Sequence, residues 1–383
     1  MGAASRLKAV LEAGVAAGHA PGFAAASVGP EGVTTLAAGA MGSDNPAPMA
    51  PDTVFWIASL TKAITTAAAM QLVEQGRAEL DAPVGRWLPT LANPKVLEGF
   101  DAAGAPIIRP ARAPVTLRSL LTHTSGLGYD FFSSDLVRYL QATGESLMGA
   151  ENPDIPLMFE PGGGWQYGIG IDWAGKLVEA ISGERLDAYF DSHIFGPLGM
   201  KDMTFSPERF AATRRATIHA RLPDGGVTPT AFGMPAVPYF AMGGGGLYGT
   251  VGDYLTFLRA ILGGGALDGV RILKEETVAA MTANQIGDIS AGALKTSNPS
   301  LSNDFEPMPG IGKGWGLGFL INHQAAPTGR SAGALAWAGL ANCYYWADPA
   351  AGRAGVLMAQ VLPFGDPGVL DTFDAFERAA YAG

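Results

Sequence analysis

A serine and a lysine three positions apart stand at the start of an apolar segment. In a helix Ser59 and Lys62 would share one face, so the hydroxyl and the amine could meet without help from a distant part of the chain. Residues 63–73 are apolar almost all round and Gly76 is placed as a C-terminal cap, which predicts a buried helix. Burial and the positive helix end both disfavour an ammonium, so this lysine could accept a proton from the serine. The alternative is that Ser59 only caps the helix and Lys62 lies on the surface. This segment alone does not decide between the two, so other motifs are needed.

The overall composition narrows the classes of function that this chain can have. Of its 383 residues, 16% are charged and 48% are hydrophobic, which suits a compact enzyme better than a disordered protein. The net charge of −10 disfavours binding to nucleic acid or to an anionic membrane surface, since both would repel it. Cys343 is the only cysteine, which excludes an intrachain disulfide and a cysteine-based zinc site. We expect a small, neutral or weakly charged substrate, no metal and no cofactor.

The N-terminal stretch predicts a helix and not a secretion signal. The charges of Arg6, Lys8 and Glu12 interrupt it, so it lacks an apolar core of secretory length. No uninterrupted apolar run elsewhere is long enough to span a bilayer. We therefore expect a cytoplasmic protein, and the sequence leaves its oligomeric state open.

Strand patterns occur near both ends of the chain, and helix patterns fill the middle. The elements predicted outside that middle part are a helix over 7–15, strands over 23–28 and 33–38, a helix over 253–262, strands over 315–321, 334–346 and 353–360, and a last helix from 366. We predict that residues 1–57 and 220–383 build one antiparallel sheet domain. Residues 58–219 would form a mainly helical domain, with the active site and Ser59 at the interface.

Two later stretches complete a constellation with Ser59-Leu60-Thr61-Lys62. They are Tyr167-Gly168-Ile169, which follows a glycine-rich turn, and Trp337-Ala338-Gly339-Leu340, on a late strand. In this order the motifs resemble those of the class C β-lactamase and penicillin-binding superfamily, and most closely its family VIII carboxylesterases, whose third motif commonly begins with tryptophan. The resemblance covers nearly the whole chain. It implies an α+β, β-lactamase-like fold, in which an antiparallel sheet with terminal helices lies beside a mainly helical domain.

The resemblance also implies a role for the central residues of each motif. Ser59 would be the nucleophile that accepts the acyl group, and Lys62 with Tyr167 would remove its proton. The sequence does not decide which of the two is the base, since a tyrosine can also act as a phenolate when a cation lies beside it. The backbone NH groups of Ser59 and Leu340 would stabilise the oxyanion.

Two departures from the β-lactamase pattern bear on the substrate. Trp337 replaces the lysine of a Lys-Thr-Gly signature, so the anchor for a drug carboxylate is missing. Ile169 replaces an asparagine that holds an acyl amide, and both changes favour neutral, apolar esters. The predicted substrate-binding residues are Trp337, Gly339, Tyr129, Phe131, Trp165, Tyr239 and Phe240.

We therefore predict a serine carboxylesterase that acts on esters of small or medium acyl groups through an acyl-serine intermediate. Weak β-lactamase activity is a plausible side reaction, because a β-lactam is also an acyl donor. The alternatives are an amide hydrolase of the β-lactamase or D-aminopeptidase type, an acyltransferase, and a scaffold without chemistry. The presence of Ser59, Lys62 and Tyr167 together argues against the scaffold.

Some other residues match functional patterns without the context that those patterns need. Ser331 lies in a Gly-x-Ser-x-Gly sequence, but no histidine follows it, so we predict a hairpin turn there. Lys295 lies in a segment that looks like a loop, which disfavours it as a substitute for the missing lysine. For His123 and Glu160 we predict structural roles, and Ser43-Asp44-Asn45 precedes the nucleophile and is predicted to be a loop.

Overall fold

The computed structural model describes residues 2–147, 152–233 and 240–382. The helices are α1 (Ala3–Ala16), α2 (Thr61–Glu74), α3 (Leu117–Leu121), α4 (Ser134–Thr143), α5 (Gly170–Ser182), α6 (Leu186–Phe190), α7 (Gly196–Leu198), α8 (Val251–Leu262), α9 (Glu275–Thr282) and α10 (Pro367–Tyr381). The strands are β1 (Gly22–Gly29), β2 (Gly32–Gly39), β3 (Phe55–Trp56), β4 (Lys95–Phe100), β5 (Pro106–Pro110), β6 (His219–Arg221), β7 (Val227–Pro229), β8 (Tyr248–Gly249), β9 (Ala266–Leu267), β10 (Val270–Arg271), β11 (Lys313–Trp315), β12 (Leu320–Asn322), β13 (Leu335–Gly339), β14 (Cys343–Asp348), β15 (Arg353–Met358) and β16 (Val361–Leu362).

Seven of the described strands form one antiparallel sheet, in the order β11-β12-β13-β14-β15-β1-β2. The hairpin of β1 and β2 adds to the free edge of β15, so residues from the beginning of the chain extend a sheet made from its end. This antiparallel sheet, assembled from both ends of the chain, confirms the architecture that the sequence predicts.

Helices cover both faces of this sheet. On β14, Tyr345 contacts Tyr254 of α8, whereas the next residue, Trp346, contacts Phe373 and Phe376 of α10. Because neighbouring residues of a strand point to opposite faces, α8 lies on one face and α10 on the other. The N-terminal helix α1 packs against α10 and against the β1–β2 hairpin, so the two terminal helices share a face.

Two predicted strands are wrong in extent, because each contains a turn. The stretch 334–346 divides into β13 and β14, with Asn342 at a φ of 62° in the turn between them. The stretch 315–321 divides into β11 and β12, with Gly318 at a φ of 81°. Both residue types tolerate this left-handed conformation. The flanking residues are buried, so the apolar pattern continues through each turn and hides it.

Helix α2 is the buried helix that the sequence predicts, and every residue from Thr61 to Leu72 is buried. Its C-terminus also agrees, since Gly76 has a φ of 67° just beyond the capping residue. At the other end the helix does not begin at a serine cap, because a single 3-10 turn, Ala58–Leu60, comes first. Ser59 therefore lies in this turn, immediately before the helix that carries Lys62.

A buried ion pair joins the β12–β13 connection to α10 and gives a prediction about stability. Glu377 is fully buried and accepts hydrogen bonds from Arg330 Nε and Thr328 Oγ1, both at 2.6 Å. In Glu377→Ala the guanidinium stays buried without its partner, so we expect the free energy of unfolding to fall by about 3–5 kcal/mol in urea denaturation. Asp304→Ala, which breaks an exposed pair with Lys295, should lower it far less, because water screens that pair. Equal losses in the two variants would contradict this account.

Candidate active site

Ser59 and Lys62 meet at the entrance to α2. Lys62 Nζ donates to Ser59 Oγ across 3.1 Å. The lysine side chain is fully buried, whereas Ser59 is partly exposed and lines a cavity. Immediately before the serine, Ala58 has a φ of 46°, a conformation that residues with a side chain rarely adopt. Strained backbone of this kind is concentrated at functional sites, where the surrounding structure holds it in place.

The amine of Lys62 has two further acceptors. It donates to the carbonyl oxygen of Gly244 at 2.5 Å and to the hydroxyl of Tyr129 at 3.0 Å. With Ser59 Oγ, these bonds use all three donors of an ammonium group. Lys62 is therefore held in one position, with only one of its contacts directed at the serine.

Tyr167 lies beside Lys62, and its hydroxyl has a different partner. The Lys62 Nζ is 4.7 Å from the centroid of the Tyr167 ring. The hydroxyl oxygen accepts a hydrogen bond from Trp337 Nε1 at 3.0 Å. In the described part of the chain, no hydrogen bond joins this hydroxyl to Ser59 or Lys62. The three motifs thus meet at the amine of Lys62. The first motif supplies the Ser59 hydroxyl, the second supplies the Tyr167 ring, and the third supplies the Trp337 indole that is bonded to the Tyr167 hydroxyl.

The phenol that is hydrogen bonded to Lys62 belongs to Tyr129, which the sequence predicts only as a wall of the pocket. Its hydroxyl also donates to Asp172 Oδ2 at 3.3 Å. Desolvation in the closely packed site, followed by the charge of Asp172, raises the pKa of Tyr129 well above its usual value. This phenol therefore keeps its proton at neutral pH and is poorly suited to act as a base.

Asp172 is a site residue that the sequence analysis misses. It lies in the first turn of α5, where an acidic residue is common because it interacts favourably with the helix dipole, so its presence there gives no functional signal. Its Oδ1 accepts from the backbone NH of Gly244 at 2.8 Å. Desolvation raises the pKa of Asp172, and the charge of Lys62 is the largest effect that opposes this rise. A usable signal would have been an acid near the Tyr167 motif on an otherwise buried helix.

Strand β13 approaches the turn that carries Ser59 because its last residue is a glycine. A Cβ at Gly339 would lie 2.4 Å from the carbonyl oxygen of Ile57, which real structures do not allow. Leu340 follows Gly339 in the turn toward β14, and like Ser59 it lines the cavity. The backbone segments predicted to supply the two oxyanion donors are therefore neighbours at the cavity floor.

A largely apolar cavity of about 230 Å³ opens beside Ser59. The sequence-predicted residues that line it are Ser59, Tyr129, Phe131, Tyr167, Phe240, Trp337 and Leu340. Trp165 instead packs behind the site against His123, Tyr167 and Trp315, and Tyr239 lies outside the described residues. Further lining residues that the sequence analysis did not name include Trp56, Phe132, Trp173, Lys176, Phe232, Leu294, Leu301 and Phe364. Apart from Lys176 these are apolar residues from distant segments, which sequence patterns cannot bring together.

His123 supports the ring of Tyr167 from behind. Its ring centroid lies 4.7 Å from that of Tyr167 and 5.0 Å from that of Trp315, and its Nδ1 accepts from the NH of Gly168 at 3.4 Å. Burial, together with the nearby charge of Lys62, lowers the pKa of His123 well below its usual value. It is therefore neutral, and its contacts are those of a packing residue.

The other residues that match functional patterns make contacts of their own. Glu160 pairs with Arg109 and accepts from the NH of Arg112 at 2.9 Å. Ser331 lies in the connection between β12 and β13, where its NH donates to Asp348 Oδ2 at 2.7 Å. Lys295 is exposed and forms an ion pair with Asp304, which is also exposed.

The described residues contain neither a metal-binding cluster nor a helix able to span a membrane. Among them, no group of three or more histidine, cysteine, aspartate or glutamate side chains could hold a metal ion. None of the helices within the same ranges has both the length and the apolar character needed to cross a membrane.

Comparison with known proteins decides the family. The family model described as Beta-lactamase matches residues 7–380. The chain belongs to the beta-lactamase family. Among its relatives, monacolin J acid methylbutanoyltransferase of Aspergillus terreus is 35% identical over 351 residues, which is 88% of this chain and 83% of that protein. Lovastatin esterase of Penicillium rubens is 33% identical over 353 residues, or 87% and 86% of the two chains.

A solved structure of this family agrees with the fold described above. A mutant simvastatin synthase from Aspergillus terreus matches with a TM-score of 0.86 and 32% identity, covering 99% of this chain and 97% of that one. The family assignment therefore confirms the β-lactamase-like α+β fold that the sequence predicts. It also makes this protein an enzyme of the serine hydrolase and acyltransferase superfamily. These relatives do not show that the chain belongs to the family VIII carboxylesterases in particular.

Proposed function

We propose that this protein is a carboxylesterase of the family VIII type, in which Ser59 carries the acyl group. The observation that supports this proposal best is the hydrogen bond between Ser59 Oγ and Lys62 Nζ at the floor of an apolar cavity. A serine that is partly exposed to such a cavity and bonded to a buried amine has the surroundings of an activated nucleophile. The substrate would be a small neutral ester.

The proposed reaction has two halves. Ser59 Oγ attacks the ester carbonyl while the pair formed by Lys62 and Tyr167 removes its proton, with the formal base of the pair left open at this point. The backbone NH groups of Ser59 and Leu340 stabilise the oxyanion. The C–O bond to the alcohol then breaks, and the alcohol leaves with the proton. A water molecule attacks the acyl-serine by the same route and releases the acid. Trp337 assists, because its N–H donates to the Tyr167 oxygen and holds it in one position beside Lys62.

The cavity supports esters of small or medium acyl groups as the substrate class. Its volume of about 230 Å³ lies below the range of pockets that hold drug-sized ligands, and its lining is mainly aromatic and aliphatic. Trp337 presents an indole N–H that is already bonded to Tyr167, so it offers no charge to a carboxylate. A β-lactam antibiotic would therefore acylate Ser59 slowly, because its carboxylate gains no cationic partner at this strand.

A panel of acyl donors tests this proposal. We expect kcat/KM for p-nitrophenyl esters to be highest at butyrate or a neighbouring chain length and to fall for long chains, because the cavity is small. Nitrocefin should be turned over with a kcat/KM lower by roughly 100-fold or more, since a missing ionic contact costs several kcal/mol in a desolvated site. A nitrocefin rate equal to the butyrate rate would favour an amide-hydrolysing β-lactamase over a carboxylesterase.

Acyl transfer to an alcohol is the second candidate. It is favoured by the apolar lining of the cavity, which suits an organic acceptor better than water, and by the relative whose name describes it as a methylbutanoyltransferase. The two functions share the acyl-serine and differ only in what removes the acyl group. Adding increasing amounts of an alcohol to the p-nitrophenyl butyrate assay distinguishes them. A transferase gives mainly the new ester at low alcohol concentration, whereas an esterase gives mainly butyrate.

Replacing Trp337 with phenylalanine tests the indole N–H. The variant loses the donor to the Tyr167 oxygen but keeps an aromatic ring in the cavity wall, so we expect kcat for p-nitrophenyl butyrate to fall roughly 10- to 100-fold. The matched control is Trp165→Phe, because the ring N–H of Trp165 is buried without a hydrogen-bond partner among the described residues. It should change kcat little. If both variants lose activity equally, ring packing and not the hydrogen bond is what matters.

A further inference from the structure

We propose that Asp172 is a positioning residue that holds Lys62 as an ammonium against Ser59. The inference rests on the proposed function and deepens it, because it assigns a state to the amine of the Ser59 site. Its basis is a hydrogen-bond arrangement in which a single carboxylate binds the groups that bind the lysine.

Two of the three acceptors around Lys62 are fixed by Asp172. The peptide segment of Gly244 gives its carbonyl to Lys62 and its NH to Asp172 Oδ1. The hydroxyl of Tyr129 accepts from Lys62 and donates to Asp172 Oδ2. The carboxylate therefore balances the charge of the ammonium through two bridging groups, the Gly244 peptide and the Tyr129 hydroxyl. The third N–H of the lysine remains directed at Ser59.

The glycine-rich run after residue 240 is needed for this arrangement. A Cβ at Gly244 would lie 2.2 Å from Asp172 Oδ2, so only glycine lets the carboxylate reach the backbone NH. The neighbouring carbonyl of Gly243 accepts from Thr65 Oγ1 at 2.6 Å, which ties the same segment to α2 one turn beyond Lys62. Gly243 and Gly244 are thus explained by close contacts with α2 and α5.

Among the titratable groups near Lys62, Asp172 is the one that balances the positive charge of the lysine. The titratable side chains that face Lys62, or face its partners, are Tyr129, Tyr167, His123, Asp130, Asp172 and Lys176. His123 is neutral, Tyr129 keeps its proton, and Lys176 acts on Asp172 and carries a positive charge of its own. Asp130 acts on Tyr129, but its Oδ1 accepts from the NH of Phe131. Asp172 is the acid that is bonded to the partners of Lys62.

This arrangement has a consequence for proton transfer. An ammonium that is balanced by a carboxylate has no lone pair, so it cannot take the proton of Ser59. The proton must then pass to the oxygen of Tyr167, whose ring lies against the same amine. Lys62 would instead stabilise the negative charge that develops on the serine and tyrosine oxygens.

The Asp172→Asn variant of the full chain tests the proposal. Its amide oxygen can still accept a hydrogen bond, but the negative charge is lost and the ammonium is held less firmly. We expect kcat for p-nitrophenyl butyrate to fall roughly 10- to 100-fold with little change in KM. The alkaline limb of the kcat/KM pH profile should move to lower pH by about one unit, while the acidic limb stays in place.

Two results would overturn the proposal. One is an Asp172→Asn enzyme with unchanged kcat and unchanged pH limbs. The other is a shift of the acidic limb to lower pH with equal or higher activity at neutral pH, which would show that neutral Lys62 is the working form. Tyr129→Phe removes the hydroxyl that bridges Lys62 and Asp172, so it should move the alkaline limb in the same direction by a smaller amount. This variant replaces Asp172→Asn in the test if Asp172→Asn does not fold. Failure of the proposed function would instead appear as ester turnover that survives Ser59→Ala.

Discussion

Replacing Ser59 with alanine is expected to lower kcat/KM for p-nitrophenyl butyrate by roughly 10⁴-fold or more, as removal of a catalytic nucleophile does in other serine hydrolases. The reason is structural as well as chemical. Ser59 supplies a hydroxyl that Lys62 bonds at the floor of the cavity, whereas the other hydroxyl bonded to Lys62, that of Tyr129, has a raised pKa and keeps its proton. The backbone turn should survive, because alanine fits wherever serine does.

Ser331→Ala is the matched control for this experiment. Ser331 lies in the sequence that resembles an esterase motif, but the structure holds it through its backbone NH in a strand connection. Its replacement should leave turnover largely intact. If Ser59→Ala retained activity and Ser331→Ala lost it, the site would have to be moved to the other end of β13.

Replacing Tyr167 with phenylalanine is the second large effect that we expect. The variant loses the oxygen that would take and return the proton, so kcat should fall roughly 10²- to 10⁴-fold, the usual range for general acid–base catalysis. Ring contacts with Lys62, His123 and Trp337 should persist, because phenylalanine keeps the ring. The fold and KM are therefore expected to change little.

Tyr129→Phe separates the two phenols of the site. Tyr129 is the one that is hydrogen bonded to Lys62, yet desolvation and Asp172 raise its pKa and keep it protonated. We expect Tyr129→Phe to lower kcat by roughly 10-fold, because it disturbs the lysine without removing the base. A larger loss in Tyr129→Phe than in Tyr167→Phe would exchange the roles of the two residues.

The spacing of residues within motifs and the order of the motifs predict the central helix, the sheet and most of the site. Ser59 and Lys62 lie three positions apart with an apolar run behind them, which predicts a buried helix with both groups at its start. The helix is buried, and the two groups are hydrogen bonded at its entrance. Strand patterns near both ends of the chain predict the antiparallel sheet. The family resemblance then connected Tyr167 and Trp337 to the same site, and the structure places an indole N–H on the tyrosine oxygen.

What the sequence could not show depends on contacts between distant segments. Asp172 is an ordinary first-turn acid until α5 is packed against the Gly243–Gly246 run, and only then does it bind the partners of Lys62. Tyr129 looks like any loop aromatic until its hydroxyl meets that amine. The turn at Asn342 lies inside a continuous run of buried residues, so the apolar pattern alone predicts one strand where the structure has two.

The most direct test of the account is the position of the covalent adduct that forms with a fluorophosphonate probe. Intact-mass spectrometry and peptide mapping of the labelled protein should show one adduct per chain, on the peptide that contains Ser59, and no adduct in Ser59→Ala. Labelling at another serine, or no labelling of a protein that still hydrolyses esters, would contradict it.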